Sequence, residues 1–250
     1  MNNNQATINK MTEMRLHGMA QAFRTLQETA KNMDLTIDEI ITYLIDAEWD
    51  EKHNRRLTRL TRAARFRYQA AIEDIDYTLD RNLDKNQILR LADCSWISRG
   101  QDLLITGPTG CGKSFLGSAF GHQACQYGYT VVYVPAARLF NEVEAAKADG
   151  TYLKHLTRIM NNALLLIDDF GLEPLNHTSR MAFLEILEDR HRRKSTMVIS
   201  QQPVENWHGI IGESNTSQCH TSRSGNSGDD HRPYTSPVRK DVCNRWGCFT

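Results

Sequence analysis

The pattern of hydrophobic positions first indicates a helical region over residues 1–95. Apolar side chains recur there every three or four residues, as at Leu16, Ala20 and Phe23, which is the spacing of one face of an α-helix. The sequence Thr-Ile-Asp-Glu at 36–39 has the form of a capping box and predicts the start of another helix. We therefore expect residues 1–95 to form a small all-α N-terminal domain.

Short apolar runs alternate with helical patterns over residues 96–213. Four runs have the length and apolar character of buried strands, and they cover residues 102–106, 130–134, 163–167 and 196–200. Strands that are apolar on both faces are typical of a parallel sheet covered by helices on both sides. The sequence thus predicts an α/β domain with a parallel sheet after the helical domain.

Residues 214–250 have a different composition from the rest of the chain. They contain no Leu, Ile, Met, Ala or Glu and are rich in Ser, Thr, Asn, Gly and Arg. Such a segment buries too little apolar surface to offset the entropy that is lost on ordering. We expect this tail to be disordered.

A glycine-rich segment directly follows the first apolar run of the α/β region. Residues 107–114 match the pattern G-x-x-x-x-G-K-[ST] at every fixed position, between a predicted strand and a predicted helix. Backbone N–H groups of such a loop bind phosphate oxygens, assisted by the N-terminus of the following helix. Lys113 is predicted to contact the β- and γ-phosphates of ATP, and Ser114 to bind Mg²⁺. The predicted nucleotide-binding residues are Gly107, Pro108, Thr109, Gly110, Cys111, Gly112, Lys113, Ser114 and Phe115.

Two acidic residues end the third apolar run. Carboxylates at the carboxyl end of a parallel strand lie where open α/β folds bind ligands. Asp168 is therefore a candidate Mg²⁺ ligand, and Asp169 is a candidate for orienting or activating the attacking water. Gln201, or with less support Ser200, follows the last apolar run and could contact the γ-phosphate, although a solvated strand end explains it equally well.

Basic side chains concentrate in residues 51–70, although the whole chain carries 30 basic and 30 acidic side chains. This segment has seven basic side chains against one acidic one, and Arg55, Arg59 and Arg62 share one helical face. Arginine forks bind phosphate oxygens, so the pattern predicts contact with a nucleic-acid backbone, with a solvated charged face as the alternative. The candidate DNA-binding residues are Arg55, Arg56, Arg59, Arg62, Arg65 and Arg67.

The combined motifs resemble those of the IstB-like transposition helper ATPases, which are AAA+ proteins related to the DnaC helicase loaders. The resemblance rests on residues 107–114, on Leu-Leu-Ile-Asp-Asp-Phe-Gly-Leu at 165–172 and on Ser-Gln-Gln-Pro-Val-Glu-Asn-Trp at 200–207. Residues 62–66 and 75–77 also look like the family's DNA-binding part. The resemblance implies an ATP-dependent oligomer on duplex DNA that helps a partner transposase to select its target.

The resemblance extends over about residues 7–213 and ends there. The family continues with a helix that bears a trans-acting arginine and then with a further strand, and we find neither in residues 214–250. We therefore expect an aberrant tail, produced by a shift of the reading frame, and an exposed edge on the strand at 102–106. Because the arginine is missing, we expect this chain to bind ATP but to hydrolyse it poorly.

Other functions remain open at this stage. One alternative is a DnaC-like helicase loader, which would be found with a replicative helicase rather than beside a transposase gene. Another is a module that binds ATP and DNA with little hydrolysis because the C-terminal segment is lost. A small-molecule kinase is disfavoured, since no substrate lid is recognisable and the basic segment would have no role.

The sequence also indicates where in the cell the protein is located. The polar N-terminus lacks the apolar stretch of a secretory signal, and the longest strongly apolar run, at 163–167, is too short to cross a bilayer. We expect a cytoplasmic protein with no membrane contact.

Overall fold

The computed structural model describes residues 3–29, 35–78, 83–211 and 247–249. The chain forms two compact units, the first ending at Leu60 and the second beginning at Thr61. This division lies earlier in the chain than the domain boundary that we expected near residue 95. The domain boundary near residue 95 remains a prediction. No helix in the described ranges combines the length and the apolar character that a membrane span requires.

The first unit is built from helices. They are α1 (Asn3–Glu13), α2 (His17–Thr29) and most of α3 (Ile37–Ala64), which passes through the division between the units. Gly18 allows α2 to approach α3, because a Cβ atom there would lie 2.3 Å from the carbonyl oxygen of Ala47. The buried carboxylate of Glu48 accepts a hydrogen bond from the backbone N–H of Met19, at the positive end of α2. These contacts fix the crossing of α2 and α3.

The predicted capping box begins α3. The carboxylate of Glu39 accepts hydrogen bonds from the backbone N–H and the hydroxyl of Thr36, at 2.8 Å each. Three large apolar side chains of this helix are not covered, since Ile37, Ile45 and Trp49 are 76%, 53% and 64% exposed. The capping box therefore predicted the start of the helix, but not which of its side chains are buried.

The second unit begins with connecting elements and then forms the sheet. After a 3₁₀ helix (Ile72–Asp74) come α4 (Lys85–Leu91) and α5 (Ser95–Ser98). The strands and helices that follow are β1 (Leu103–Thr106), α6 (Lys113–Gln126), β2 (Val131–Pro135), α7 (Ala136–Ala148), α8 (Tyr152–Met160), β3 (Leu164–Phe170), α9 (His177–Arg190), β4 (Ser195–Ser200), a 3₁₀ helix (Val204–Asn206), α10 (Trp207–Ile211) and β5 (Gly247–Phe249).

The strands form one parallel sheet in the order β2-β3-β4-β1-β5. Helix α6 lies directly on one face, because a Cβ atom at Gly117 would be 2.3 Å from Ile199 of β4. On the other face, Leu139 of α7 and Ile186 of α9 belong to one buried cluster with Val198 of β4. The predicted parallel sheet with helices on both faces is thus confirmed.

Strand β5 corrects one expectation from the sequence. We expected β1 to present an unpaired edge, but Leu103, Leu104 and Ile105 pair in parallel with residues 247–249. Pairing in a sheet uses backbone N–H and C=O groups, and these do not depend on side-chain composition. The rest of the tail that we expected to be disordered, residues 214–246 and 250, lies outside the described residues.

A buried arginine holds the amino ends of two strands. The guanidinium of Arg190 is fully buried, and burial lowers its pKa to about 10. It donates to the hydroxyl of Thr196 and to four backbone carbonyls near the C-terminus of α8 and the start of β4. Those carbonyls belong to Ile159, Asn162, Ala163 and Ser195. Without this side chain, several buried acceptors would have no donor.

We therefore predict that Arg190→Met lowers the free energy of unfolding by about 3 kcal/mol, because it leaves buried carbonyls unpaired. The exposed Arg193, three residues further on, provides the control, and Arg193→Met should cost less than about 0.5 kcal/mol. Urea unfolding followed by circular dichroism measures both. Equal losses in the two variants would contradict this role for Arg190.

Candidate nucleotide-binding site

The glycine-rich loop connects the end of β1 to the start of α6, as predicted. Gly110 and Gly112 have φ values of 82° and 91°, a backbone conformation that residues with a Cβ rarely adopt. Gly112 is the residue that precedes the first turn of α6. The loop conformation therefore explains why glycine stands at these two positions, and it turns the N-terminus of α6 toward the loop.

The loop contacts the side chain of its lysine and the end of a neighbouring strand. The ammonium of Lys113 donates to the carbonyl of Pro108 at 2.6 Å, so its charge lies against the loop backbone. The hydroxyl of Thr109 donates to the side-chain carbonyl of Gln201 at 2.7 Å, just beyond β4. The structure thus brings Gln201, which the sequence proposed for γ-phosphate contact, next to the phosphate-binding loop.

Asp168 is fully buried at the carboxyl end of β3. Its Oδ1 accepts from the hydroxyl of Ser114 at 3.1 Å and from the backbone N–H of Asp169 at 2.8 Å. Its Oδ2 accepts from the hydroxyl of Tyr133 at 2.6 Å. Three donors therefore fix the carboxylate, and one of them comes from the loop.

The paired oxygens of Ser114 and Asp168 fit Mg²⁺. This cation prefers oxygen ligands, and with nucleotides it is bound through one or two protein groups together with phosphate oxygens and waters. A hydroxyl and a carboxylate 3.1 Å apart at the phosphate-binding loop supply that partial set. Both predicted Mg²⁺ residues thus lie together.

Tyr133 is a site residue that the sequence analysis missed. It lies in β2, beside Leu166 of β3, and is buried. Burial raises the pKa of Tyr133 above its usual range, and the hydrogen bond to Asp168 raises it further, so the phenol remains a proton donor. One signal was present in the sequence, since Tyr133 has the only polar group among the side chains of the Val-Val-Tyr-Val run.

The carboxylate of Asp169 has a different partner from that of Asp168. It has a φ of 56°, in the left-handed region, and the pairing of β3 with β4 is irregular between Ile167 and Phe170. Such an irregularity re-aims a side chain at the end of a strand. The Oδ2 atom of Asp169 accepts from Nη1 of Arg67 at 3.0 Å, and the two side chains are 31% and 49% exposed.

The segment after α3 carries Arg67 to this position. The φ of Arg65 is 59°, directly after the end of α3. Phe66 then packs on α6, with its ring centroid 4.4 Å from that of His122 and 6.3 Å from that of Tyr133. A Cβ atom at Gly121 would lie 2.3 Å from the Phe66 ring, so glycine is required for this contact. Phe66 therefore anchors the segment beside the buried end of the site.

The arginines proposed to bind DNA are all exposed, and the residues on the opposite side of the helix, Leu60 and Ala64, are buried. Arg55 also pairs with Glu51 at 2.9 Å, one helical turn away. Arg67 differs from the others, because its guanidinium contacts the Asp169 carboxylate of the candidate nucleotide site. One member of the proposed DNA-binding set thus contacts a residue of the candidate nucleotide site. The proposed set is Arg55, Arg56, Arg59, Arg62, Arg65 and Arg67.

The chain is similar to known ATP-binding proteins. A family described as IstB-like ATP binding protein matches residues 9–222, which ends later than the limit at 213 that we expected. The protein y4pL of Sinorhizobium fredii, named for the ATP-binding protein of an insertion sequence, is 41% identical over 206 residues, covering 82% of this chain and 84% of that one. The IS1162 ATP-binding protein of Pseudomonas fluorescens is 36% identical over 200 residues, covering 80% and 87%.

A solved structure shares the fold. The replication initiator DnaA bound to AMPPCP and single-stranded DNA superposes with a TM-score of 0.51 at 21% identity, over 57% of this chain and 44% of that chain. At this identity the likeness shows the fold alone. From the family match and the two relatives, the chain belongs to the IstB-like ATP-binding proteins of insertion sequences.

Proposed function

We propose that this protein is an ATP-dependent helper of transposition that assembles on duplex DNA and assists a partner transposase in selecting its target. The observation that carries the ATP part is the contact between Ser114 and Asp168, 3.1 Å apart, which joins the phosphate-binding loop to the end of β3. The names of the relatives, ATP-binding proteins of insertion sequences, favour a role beside a transposase. Such a role would place the protein in the cytoplasm.

Each residue of the site has a separate proposed role in ATP hydrolysis. Lys113 and the backbone N–H groups of residues 107–115 other than Pro108 would bind the phosphates. Ser114 and Asp168 would hold Mg²⁺, which would neutralise charge on the phosphate oxygens. The water oxygen forms a bond to the γ-phosphorus while the bond to the β–γ bridging oxygen breaks. Asp169 orients that water and accepts its proton, and Gln201 contacts the γ-phosphate.

Hydrolysis by this chain is proposed to be slow. In related phosphoryl-transfer enzymes an arginine supplied by a neighbour accelerates turnover by about 10³- to 10⁵-fold. The resemblance to the family implies that this arginine lies on a helix after the segment equivalent to Glu213, and the family match of this chain ends at residue 222. The chain would then act mainly through ATP binding and self-association.

The DNA part of the proposal rests on charge and exposure. Residues 51–70 carry seven basic side chains and one acidic one, and the six candidate arginines are exposed. Phosphate contacts of this kind bind duplex DNA independently of its sequence. A DnaC-like helicase loader would use the same chemistry with a different partner, and co-purification with a replicative helicase would favour that alternative.

Lys113→Ala is predicted to weaken ATP binding by about ten- to a hundredfold, because it removes a charge-assisted contact to the phosphates. Lys154→Ala, which removes an exposed lysine from α8, should leave the affinity unchanged. Titration of a fluorescent ATP analogue measures both dissociation constants. Equal affinity in the two variants would contradict the assignment of the loop.

The double variant Arg59→Ala/Arg62→Ala is predicted to weaken binding to duplex DNA and to reduce the slope of log K against log salt by about two, since each phosphate contact contributes about 0.9. Arg138→Ala/Arg158→Ala removes the same charge from exposed positions on α7 and α8 and is the matched control. Fluorescence anisotropy across a salt series measures the slopes. Identical slopes in both double variants would refute the proposed DNA surface.

A further inference from the structure

The contact between Arg67 and Asp169 has a chemical consequence for the proposed reaction. Asp169 is the carboxylate proposed to accept a proton from the attacking water, and its Oδ2 already accepts a hydrogen bond from the Arg67 guanidinium. This hydrogen bond occupies one of the two carboxylate oxygens, which is then no longer available to water. In this arrangement Arg67 holds the Asp169 side chain back from the attacking water.

The position of Arg67 follows from its neighbours in the chain. Phe66 is fixed against α6 by the contact that requires glycine at position 121, and its ring also lies against Tyr133. The backbone carbonyl of Tyr68 lies 3.3 Å from Nε2 of His122, on the same helix. Arg67 is therefore held between two anchored residues and reaches the end of β3 without a long flexible connection.

The ion pair itself is weak enough to be exchanged. Its two side chains are 49% and 31% exposed, and pairs with that exposure change an equilibrium by about fivefold at most, which is about 1 kcal/mol at 1.4 kcal/mol per tenfold change. A phosphate group offers an arginine two parallel hydrogen bonds and competes effectively with a single carboxylate contact. Arg67 also lies over the ring of Tyr68, with its Cζ atom 5.6 Å from the ring centroid. The contact with Asp169 is thus one that a phosphate could displace.

We infer that Arg67 is a positioning residue that holds Asp169 back from the attacking water, and that duplex DNA releases Asp169 by binding Arg67 through a backbone phosphate. The restraint rests on the geometry of the site, and the release by DNA rests on the proposed function. Arg65 and Arg67 lie at the end of the basic segment, so a phosphate bound there would be next to the nucleotide site. ATP turnover would then depend on whether DNA occupies this segment.

The test compares ATP hydrolysis by the full chain carrying Arg67→Ala, Arg67→Lys or Arg138→Ala, each with and without a duplex oligonucleotide. Single-turnover assays with labelled ATP detect slow hydrolysis. Arg138 also pairs with a carboxylate on an exposed helix, so it is a matched control that should behave as the wild type does. The unfolding midpoint of each chain reports whether it is folded.

Arg67→Ala should raise the DNA-free rate at saturating ATP by up to about fivefold and reduce the stimulation by DNA, with an unchanged dissociation constant for ATP. Arg67→Lys keeps the positive charge but lacks the two parallel donors of a guanidinium. Its DNA-free rate and its stimulation by DNA should lie between those of Arg67→Ala and the wild type. A change in rate without a change in ATP affinity separates this role from a structural one, which would alter both.

The inference is overturned if Arg67→Ala, folded and binding ATP, hydrolyses it no faster than the wild type, including the case in which neither rate is measurable. Anisotropy with the same duplex separates the two proposals. Absence of DNA binding by the wild type would refute the DNA-dependent release and the proposed function, whereas the DNA-free comparison would still decide whether Arg67 restrains Asp169.

Discussion

The buried carboxylate of Asp168 is the interaction on which the rest of the site depends. A charge without solvent is stable only if hydrogen bonds replace the lost water, and here the donors are Ser114, Tyr133 and the backbone of Asp169. These donors come from α6, β2 and β3, so the carboxylate ties the phosphate-binding loop to two strands of the sheet. The parallel order of the strands brings their carboxyl ends to one edge, which makes this convergence possible.

The second acidic residue connects the site to a part of the chain far away in sequence. Asp169 has a left-handed backbone, and its carboxylate accepts a hydrogen bond from Arg67, 102 residues earlier. Phe66 anchors that region on α6, at the glycine that leaves room for its ring. A single short segment thus links the end of α3 to the candidate nucleotide site.

The sequence predicted those parts of the molecule that depend on local chemistry. The loop was recognisable because its glycines satisfy a backbone requirement within eight residues, and Asp168 because it directly ends an apolar strand. The contacts of Tyr133, Arg190 and Arg67 were not predictable in this way, since each depends on which distant backbone or side chain lies beside it. Strand β5 was missed for another reason, because its pairing with β1 uses backbone groups rather than apolar side chains.

We propose that ATP binding and DNA binding belong to one activity of this chain. The most direct measurement is the affinity for duplex DNA with and without the nucleotide analogue AMPPCP and Mg²⁺, repeated across a salt series. We expect tighter binding with the analogue, through ATP-dependent assembly, and a steep loss of affinity with salt in both series. An affinity that is the same with and without the analogue, or one that does not respond to salt, would contradict it.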